Sequence, residues 1–584
     1  MAEKILKEHL YGDLLSPTYG YTTDFAMGMT YSLSFDAMLT AYLAFGMLGD
    51  MDEESMQSPY LLLDAITKCS DKVVVFCNKG GIAVPPAIRK VYSLMERNIF
   101  EVFDKYNIKA NFHPKLWLIR EISNNDKRDV LLKLIVTSRN LSYTDTIDCI
   151  ACLTGRVGPA SVRNEKHLPL IQFIESVVKE SNICDEQKKL VLKLANDLER
   201  VESFDVDAPF DDYDFFPYLF DYDFGLGSVE DYLVGTESII VSPFVDKKML
   251  ARLNPENKCK RILITRKEYV DKDIFNMFAK KGGIYVTLDD LASRGMDLHA
   301  KMYQIWNNRN KQYLYLGSAN ATTTAFERNG EFLLRLKYRY GNTRSAQFLG
   351  DFYEKDNKDS RFMPLNEPNN NASTTMKWDT AESAMKTLMC AEDIKARITH
   401  HRHGRYSVTV VSDEKELTND VFIAPLQKKE MMQRWTGKVV FADMNIDELS
   451  EFYVLAATST DGVRHEAIVK IETLGMPAER DKNIVKSIIK TKNDFYRYIE
   501  LMLTDVPLQY ISSELLPMKT GGTGNESDER MDFPNLYEKM LRIAATNPKQ
   551  IYEIGALVDR LGDDVVPSSF TKMYKQFVNA LNQR

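Results

Sequence analysis

NFHPKLWLIR, residues 111–120, and DLHAKMYQIW, residues 297–306, decide the fold predicted for this chain. Each stretch has a histidine and a lysine separated by one residue, and each then continues as an apolar, strand-like run. Side chains at positions i and i+2 of a strand point to the same face, so the two members of each pair project together. The pairs are His113 with Lys115 and His299 with Lys301.

Each of these stretches is followed by a second apolar run that ends in polar residues. LIVTSRNLSYTDTID spans residues 134–148, and YLGSANATTTAFERNGEF spans residues 315–332. Both contain a serine, an asparagine two residues later, and then a carboxylate. The residues are Ser138, Asn140 and Asp148 in the first stretch and Ser318, Asn320 and Glu331 in the second. The same elements in the same order indicate a diverged tandem repeat.

The apolar runs around these motifs predict an α/β fold with two similar halves. Short buried strands are expected at 73–76, 116–119, 131–136 and 147–153, and again at 239–241, 262–264, 284–287, 303–306, 313–316 and 332–336. The later chain alternates like strands and then becomes helical. The predicted division is 1–202 for the first half, 203–229 for an acidic, aromatic linker, 230–375 for the second half, 376–478 for a small β-rich domain and 479–584 for a C-terminal helical domain.

Composition excludes some classes of protein. The 584 residues are 44% hydrophobic and 27% charged, which is typical of a globular protein. No apolar run reaches about 18 residues, so no membrane span is expected. The net charge of −8 means that nucleic acid would have to bind in a local basic groove. The seven scattered cysteines suit a reducing compartment, and Cys149 and Cys152 are interpreted as buried strand residues because no second ligand pair for zinc accompanies them.

The two HxK elements, with SRNLS, GSANAT and Glu331, resemble the phospholipase D superfamily of phosphodiesterases and nucleases. The order TYSLSFDAML, HPKLWLI, SRNLSYTD, LHAKMY and GSANAT also resembles the bacterial members found with helicases in anti-phage and DNA-processing systems, over most of residues 20–340. The resemblance implies two phospholipase D-like halves around one shared site and hydrolase activity on DNA without a metal or other cofactor. It also implies a role in defence or DNA processing, a helicase or ATPase partner for the helical domain, and a cytoplasmic location.

Arg120 and Trp306 depart from the pattern of the superfamily, which usually has an aspartate five residues after each lysine. Tyrosyl-DNA phosphodiesterases, which also resemble the superfamily, lack that aspartate and remain active. The departure therefore argues against a phospholipase rather than against catalysis.

The predicted site residues suit phosphodiester cleavage. One neutral histidine can attack phosphorus and form a phosphohistidine, while the other donates a proton to the leaving oxygen and later activates water. The two lysines, two asparagines and two serines would hold the phosphate oxygens, and Glu331 and Asp148 would orient the imidazoles. The resemblance favours His113 as the nucleophile. The sequence itself favours His299 as the better supported imidazole, because Glu331 follows the GSAN element of the same half.

Several alternatives stay open at this point. The chain could be a catalytically silent nucleic-acid-binding subunit, or a phospholipid phosphodiesterase, although no amphipathic membrane-binding segment is evident. The acidic tract 203–225 could cover a basic groove or be an exposed linker. Residues 400–403, HHRH, could bind a metal but are expected to form an exposed turn, and GGTGNES lacks the ending of a phosphate-binding loop.

Overall fold

The fold is mixed α/β with four separate sheets, as seen in a computed structural model of the chain. The structure describes residues 11–46, 58–255, 260–307, 311–339, 344–354, 360–369, 380–415, 417–503, 533–546, 548–562 and 565–582. Within those residues, no helix combines the length and the apolar character needed to cross a membrane.

The first sheet has six strands in the order β3-β2-β1-β4-β5-β6. Strands β1 to β3 are parallel, and β4 to β6 continue the sheet in antiparallel pairs. Strand β5 is buried at all eight positions because both faces of the sheet are covered, which explains its mostly apolar sequence; its one charged residue, Lys133, pairs with Glu121 at 2.7 Å. The elements are α1 Tyr11–Leu15, β1 Tyr21–Thr30, α2 Phe35–Gly46, α3 Pro59–Cys69, β2 Val73–Asn78, β3 Ile99–Val102, β4 Leu116–Ser123, β5 Val130–Thr137, β6 Ile150–Arg156, α4 Leu168–Lys179 and α5 Asp185–Glu199.

The second sheet has eight strands in the order β14-β10-β9-β8-β11-β12-β13-β7. From β10 to β13, the order and direction of its strands repeat those of the first sheet. The elements are β7 Phe210–Tyr218, α6 Val229–Leu233, β8 Glu237–Val241, α7 Lys247–Leu253, β9 Arg261–Thr265, α8 Lys272–Ala279, β10 Ile284–Thr287, α9 Asp289–Ser293, β11 Met302–Asn307, β12 Lys311–Gly317, α10 Thr323–Glu327, β13 Glu331–Tyr338, α11 Ser345–Gly350 and β14 Phe362–Pro364.

The two sheets share one hydrophobic core, to which helices α4 and α5 also contribute. Leu132 and Leu134 of the first sheet lie in the same cluster as Leu314 and Leu316 of the second. Helices α2 and α3 cover the outer face of the first sheet, and α7 and α8 cover that of the second. The molecule is therefore layered, with the two sheets facing each other across the middle.

Two expectations from the sequence are wrong. The acidic tract 203–225 is not an exposed linker, because β7 within it pairs with β13 and buries Tyr213, Phe215 and Phe216. Its aromatic residues are strand residues, and this accounts for their density. The strand expected at 147–153 begins only at Ile150, so that Asp148 lies in the preceding loop.

Residues 380–474 form two four-stranded sheets packed around one apolar cluster. The sheet β18-β17-β20-β21 docks on the first half, where Ile468 N donates to Ile82 O at 2.9 Å. The elements are α12 Thr380–Met389, β15 Lys395–His400, β16 Tyr406–Val411, β17 Val421–Pro425, β18 Gln433–Arg434, β19 Lys438–Met444, β20 Phe452–Thr458, β21 Arg464–Lys470 and β22 Thr473–Leu474.

The C-terminal helices do not build a core of their own. They pack against α2 and α3 in the same cluster, and Tyr60 of α3 donates to Asp494 at 2.7 Å. The helices are α13 Arg480–Ile488, α14 Lys492–Met502, and three further helices at Phe533–Thr546, Pro548–Leu561 and Ser568–Asn582.

Candidate active site

The site lies where equivalent strand ends of the two sheets meet. In each half, the parallel strands end at one edge of the sheet, and the histidine-lysine strand begins at that same edge. The serine-asparagine turn follows the next strand, β5 or β12, at this edge as well. The repeated topology therefore places the two histidine-lysine segments at corresponding edges of the two sheets.

His113 pairs with a carboxylate of the other half. Its Nδ1 lies 2.9 Å from Glu331 Oε2. Glu331 is fully buried, and Asn329 Nδ2 donates to its other oxygen at 3.2 Å. The sequence had suggested that Glu331 supports His299 of its own half, and this is wrong: the loop before His113 runs beside the start of β13, so Glu331 faces His113.

His299 is paired in the reciprocal way. Its Nδ1 lies 2.7 Å from Asp148 Oδ1, and Thr146 Oγ1 donates to Asp148 Oδ2 at 2.7 Å. Each imidazole is therefore held by the half that does not supply it. The side chains of His113 and His299 are 14% and 16% exposed, so each ring reaches the surface while its partner carboxylate lies behind it.

Backbone hydrogen bonds between the two halves hold each histidine beside the carboxylate of the opposite half. His113 N donates to Gly330 O at 2.8 Å, and His299 N donates to Ile147 O at 2.8 Å. Short bridges join Phe112 to Gly330 and Ile147 to Leu298 in the same manner. The residue before each histidine thus pairs with the loop that precedes the partner carboxylate. Each half therefore supplies the carboxylate for the histidine of the other half.

The serines lie behind the carboxylates. Ser138 Oγ donates to Asp148 Oδ1 at 2.7 Å, and Ser318 Oγ donates to Glu331 Oε2. Both serines are fully buried. The expectation that they would hold phosphate oxygens is therefore wrong, because their protons are already used to orient the acids.

Lys115 and Lys301 have no exposed surface. Each Nζ donates to the backbone oxygen of the histidine two residues before it, at 2.8 Å for Lys115 and 2.6 Å for Lys301. Burial lowers the pKa of both lysines, to about 8 for Lys301 and well below the usual value for Lys115. A lysine carries three N–H donors, so two remain for an anion.

The two carboxylates differ in their electrostatics. Burial raises the pKa of Glu331 to about 8, although the charge of Lys115 opposes the increase. Burial also acts to raise the pKa of Asp148, but hydrogen bonding to His299 and the charge of that ring outweigh it and bring the pKa to about 2. Asp148 is therefore charged at neutral pH, whereas Glu331 retains a proton there.

Both histidines are neutral in the absence of an anion. Burial, followed by the charges of Lys115 and Lys301, lowers the pKa of His113 far below its usual value. Burial and Lys301 lower the pKa of His299 to about 4, against the raising effect of Asp148. Lys301 acts on the histidine of the other half as well as on its own, which is consistent with one shared site.

The two asparagines stand at the turns after β5 and β12. Asn140 Oδ1 accepts a long bond of 3.5 Å from Ser32 N. Asn320 Oδ1 is buried and has no hydrogen-bond partner among the described residues. An uncompensated buried amide is costly, so a polar ligand at Asn320 would be stabilised.

Arg120 and Trp306 lie away from the imidazoles. Arg120 donates to Asp197 at 2.7 Å and also pairs with Asp24, which ties β4 to α5 and β1. Trp306 is 7% exposed in the core between the sheets.

Tyr31 is a site residue that the sequence analysis did not single out. Its ring centroid lies 5.0 Å from that of His113, and Lys115 Nζ lies 5.8 Å from the same ring. Thr146 and Asn329, which hold the two carboxylates, were also missed. Tyr31 directly follows β1, and that position at the carboxyl end of a central strand was the available signal.

No cluster of three or more metal-ligating side chains occurs within the described ranges. Cys149 and Cys152 are free thiols, and Cys149 is buried. In the HHRH stretch, His401 Nε2 lies 2.7 Å from Ser407 Oγ and His400 stacks on Tyr406, so these rings are engaged within a surface turn.

Comparison with known proteins gives matches only among solved structures. No family model and no curated protein matches the chain. The crystal structure of yeast tyrosyl-DNA phosphodiesterase is similar to it, with 13% identity and a TM-score of 0.35 over 56% of this chain and 86% of that one. A histidine-to-alanine mutant of the yeast enzyme gives 12% identity and a TM-score of 0.34, over 57% of this chain and 87% of that one. A likeness of this size does not carry the activity of the yeast enzyme over to this chain.

Proposed function

We propose that this chain is a metal-independent phosphodiesterase of the phospholipase D type that cleaves DNA through a phosphohistidine. One observation carries the proposal: two imidazoles, each bonded through Nδ1 to a carboxylate of the opposite half, stand beside two buried lysines. With Nδ1 engaged, Nε2 is the ring atom left for chemistry.

In the first step, Nε2 of His113 attacks phosphorus. The P–N bond forms as the bond from phosphorus to the leaving oxygen breaks, and His299 donates its Nε2 proton to that oxygen. Lys115 and Lys301 hold the non-bridging oxygens as point charges. The bound phosphodiester anion offsets the lysine charges that lower the pKa of His299, and Asp148 then stabilises the imidazolium.

The second step releases the product. Neutral His299 takes a proton from water, the water oxygen attacks phosphorus, and the P–N bond to His113 breaks. The histidines return to their starting state. Glu331 keeps His113 in the tautomer that presents Nε2, but only after Glu331 has lost its own proton.

Aromatic side chains at the edge of the site favour nucleic acid over phospholipid. Tyr143, three residues after Asn140, is 61% exposed, while its hydroxyl bonds to Thr40 and lies 3.4 Å from Asp36 O. Because the hydroxyl holds the Tyr143 ring in place and much of the side chain is exposed, this ring can stack on a base. Tyr106, after β3 at the same edge, is 89% exposed.

A labelled-DNA cleavage assay in excess EDTA tests the proposal, beside a phosphatidylcholine assay. We expect DNA cleavage and an acid-labile, base-stable phosphoenzyme that His113→Ala abolishes. His403→Ala, which removes an exposed histidine far along the chain, is the control and should retain activity. DNA binding without cleavage would instead identify a catalytically silent binding subunit.

We also propose, from the resemblance to helicase-associated bacterial members, that the chain serves in defence against foreign DNA with a helicase or ATPase partner. Tyr537, Leu541 and Tyr552 on the last helices are 44%, 47% and 48% exposed and offer an apolar surface for that partner. Substituting all three by serine should abolish binding to the partner while DNA cleavage is retained. Loss of cleavage without loss of binding would contradict this assignment.

A further inference from the structure

Lys386 reaches the site from outside the two halves. It lies on α12, which packs with the β-rich region 380–474. Its Nζ donates to Ala110 O at 3.2 Å and to Asn111 Oδ1 at 2.8 Å. Asn111 lies two residues before His113, so a cation from the appended region holds the loop that delivers the histidine.

A continuous series of hydrogen bonds leads from this loop to the imidazole. Gly330 N donates to Asn111 O at 2.8 Å, and Asn111 N donates to Asn329 Oδ1 at 3.1 Å. Asn329 Nδ2 donates to Glu331 Oε1 at 3.2 Å, and the other oxygen of Glu331 lies 2.9 Å from His113 Nδ1. The position of Asn111 therefore determines where the Glu331 carboxylate lies, and that carboxylate in turn orients the His113 ring.

In the second half, the equivalent loop, which precedes His299, is supported by a residue of that same half. The loop before His299 is held by Arg266 of the same half, whose Nε donates to Leu298 O at 2.8 Å and lies 3.3 Å from Asp297 Oδ2. The loop before His113 is also held within its own half, where Phe112 N donates to Asn78 Oδ1 at 2.9 Å, and Lys386 of α12 adds a contact from the appended region. This asymmetry singles out Lys386.

Docking of the β-rich region does not require Lys386. Lys470 Nζ donates to Glu96 O at 2.6 Å and to Ile99 O at 3.2 Å, and Ser450 Oγ donates to Glu96 at 2.6 Å. These bonds join the same two parts of the chain at β3 and the helical turn before it. They do not touch the loop at residues 110–111.

We propose that Lys386 is a positioning residue, through which the region 380–474 sets the contact between Glu331 and His113. The inference rests on the proposed function for its effect on catalysis. Its consequence is that the two halves alone do not form a fully competent site: α12 must be docked for His113 to be held in its reactive orientation.

The test compares Lys386→Met with Lys470→Met in the full chain. Lys386→Met should lower kcat for DNA cleavage by on the order of 10-fold, because small misplacements of a reacting group are costly, while KM stays unchanged. Lys470→Met should lower the melting temperature at least as much and leave kcat within about twofold. Lys386→Arg should retain most of the activity, since a guanidinium can donate to the same two oxygens.

Three results would overturn the proposal. They are an unchanged kcat in Lys386→Met, equal loss of kcat in the two methionine variants, and an arginine variant as impaired as the methionine one.

A second measurement separates this inference from the proposed function. NMR titration of the His113 ring should show a changed pKa in Lys386→Met and an unchanged one in Lys470→Met. If the wild-type chain cleaves no phosphodiester, the proposed function fails, and this titration still decides whether Lys386 positions His113. An unaltered His113 titration in Lys386→Met would refute the positioning role by itself.

Discussion

Replacing Asp148 by asparagine should impair proton donation to the leaving group while leaving the nucleophile intact. Asparagine keeps the shape of the side chain and removes the charge behind His299. The pKa of Asp148 is brought from its ordinary 3.8 to about 2, mainly through His299. That change corresponds to about 2.5 kcal/mol, or about 60-fold in the protonation equilibrium of the ring. Burial raises the pKa of Asp148 whereas Ser138 and Thr146 lower it together with His299, so this net figure gives the order of magnitude of the coupling to the ring.

The assay compares two leaving groups. DNA has a poor leaving group, an alkoxide oxygen that needs a proton as it departs. With DNA, kcat/KM of Asp148→Asn should therefore be roughly 10-fold to 60-fold lower than that of the wild type. For thymidine 5′-(p-nitrophenyl phosphate), the leaving phenolate needs little proton donation, so the loss should stay below about threefold. The melting temperature, measured in parallel, checks that the variant is folded.

Glu331→Gln is the matched variant for the other pair. It alters the environment of His113, the proposed nucleophile, and should therefore reduce kcat/KM for both substrates by similar factors. Equal losses with both leaving groups in Asp148→Asn would refute the role of His299 as the acid. A dependence on leaving group in Glu331→Gln but not in Asp148→Asn would show that the two roles are reversed.

Three further outcomes are expected. Cleavage should be unaffected by excess EDTA, since histidine supplies both nucleophile and acid; a strict requirement for Mg²⁺ or Mn²⁺ would contradict the mechanism. The value of kcat/KM should decrease as the pH rises above 8, because Lys301 loses its proton with a pKa of about 8 and the free His299, with a pKa of about 4, is increasingly unprotonated; a kcat/KM that stays constant above pH 8 would exclude Lys301 as a phosphate-binding cation. Arg120→Met should lower the free energy of unfolding by at most about 3 kcal/mol, because the buried Asp197 loses its 2.7 Å partner and keeps only Arg200 at 3.4 Å, and should leave kcat of the folded protein unchanged; a loss of kcat without loss of stability would place Arg120 in the site.

The crossed pairing makes each half depend on the other. Asp148 and Glu331 are supplied by loops whose backbones also hold the opposite histidine strand. An insertion or deletion in the loop at residues 144–147 should therefore disturb His299 more than His113. The appended β-rich region adds a further dependence through Lys386.

The sequence by itself determined the local order of the fold. Unbroken apolar runs predict strands such as β2, because a strand that is covered on both faces has no solvent-facing position for a polar residue. The repeated order of motifs predicted two similar α/β halves, and the two sheets repeat one strand order. The i, i+2 rule does not apply to the histidines and lysines, because they precede β4 and β11 rather than lying within them. The pattern and the family resemblance together predicted that the histidines, lysines and carboxylates belong to one site, and the structure pairs each histidine with one of the two predicted carboxylates.

Only the tertiary structure decided which of these residues are partners. Pairing depends on contacts between segments more than 150 residues apart, and spacing along the chain contains no information on them. Glu331 was therefore placed behind the wrong histidine. The serines lie only 10 and 13 residues from their carboxylates, and they were assigned to phosphate oxygens because the sequence does not show that their side chains are buried. Tyr31 and Lys386 were missed because their contacts also join separate segments of the chain. The tract around β7 was mistaken for a linker for the same reason: its acidic residues lie at an edge of a sheet, and only pairing with β13 shows that the aromatic residues between them are buried.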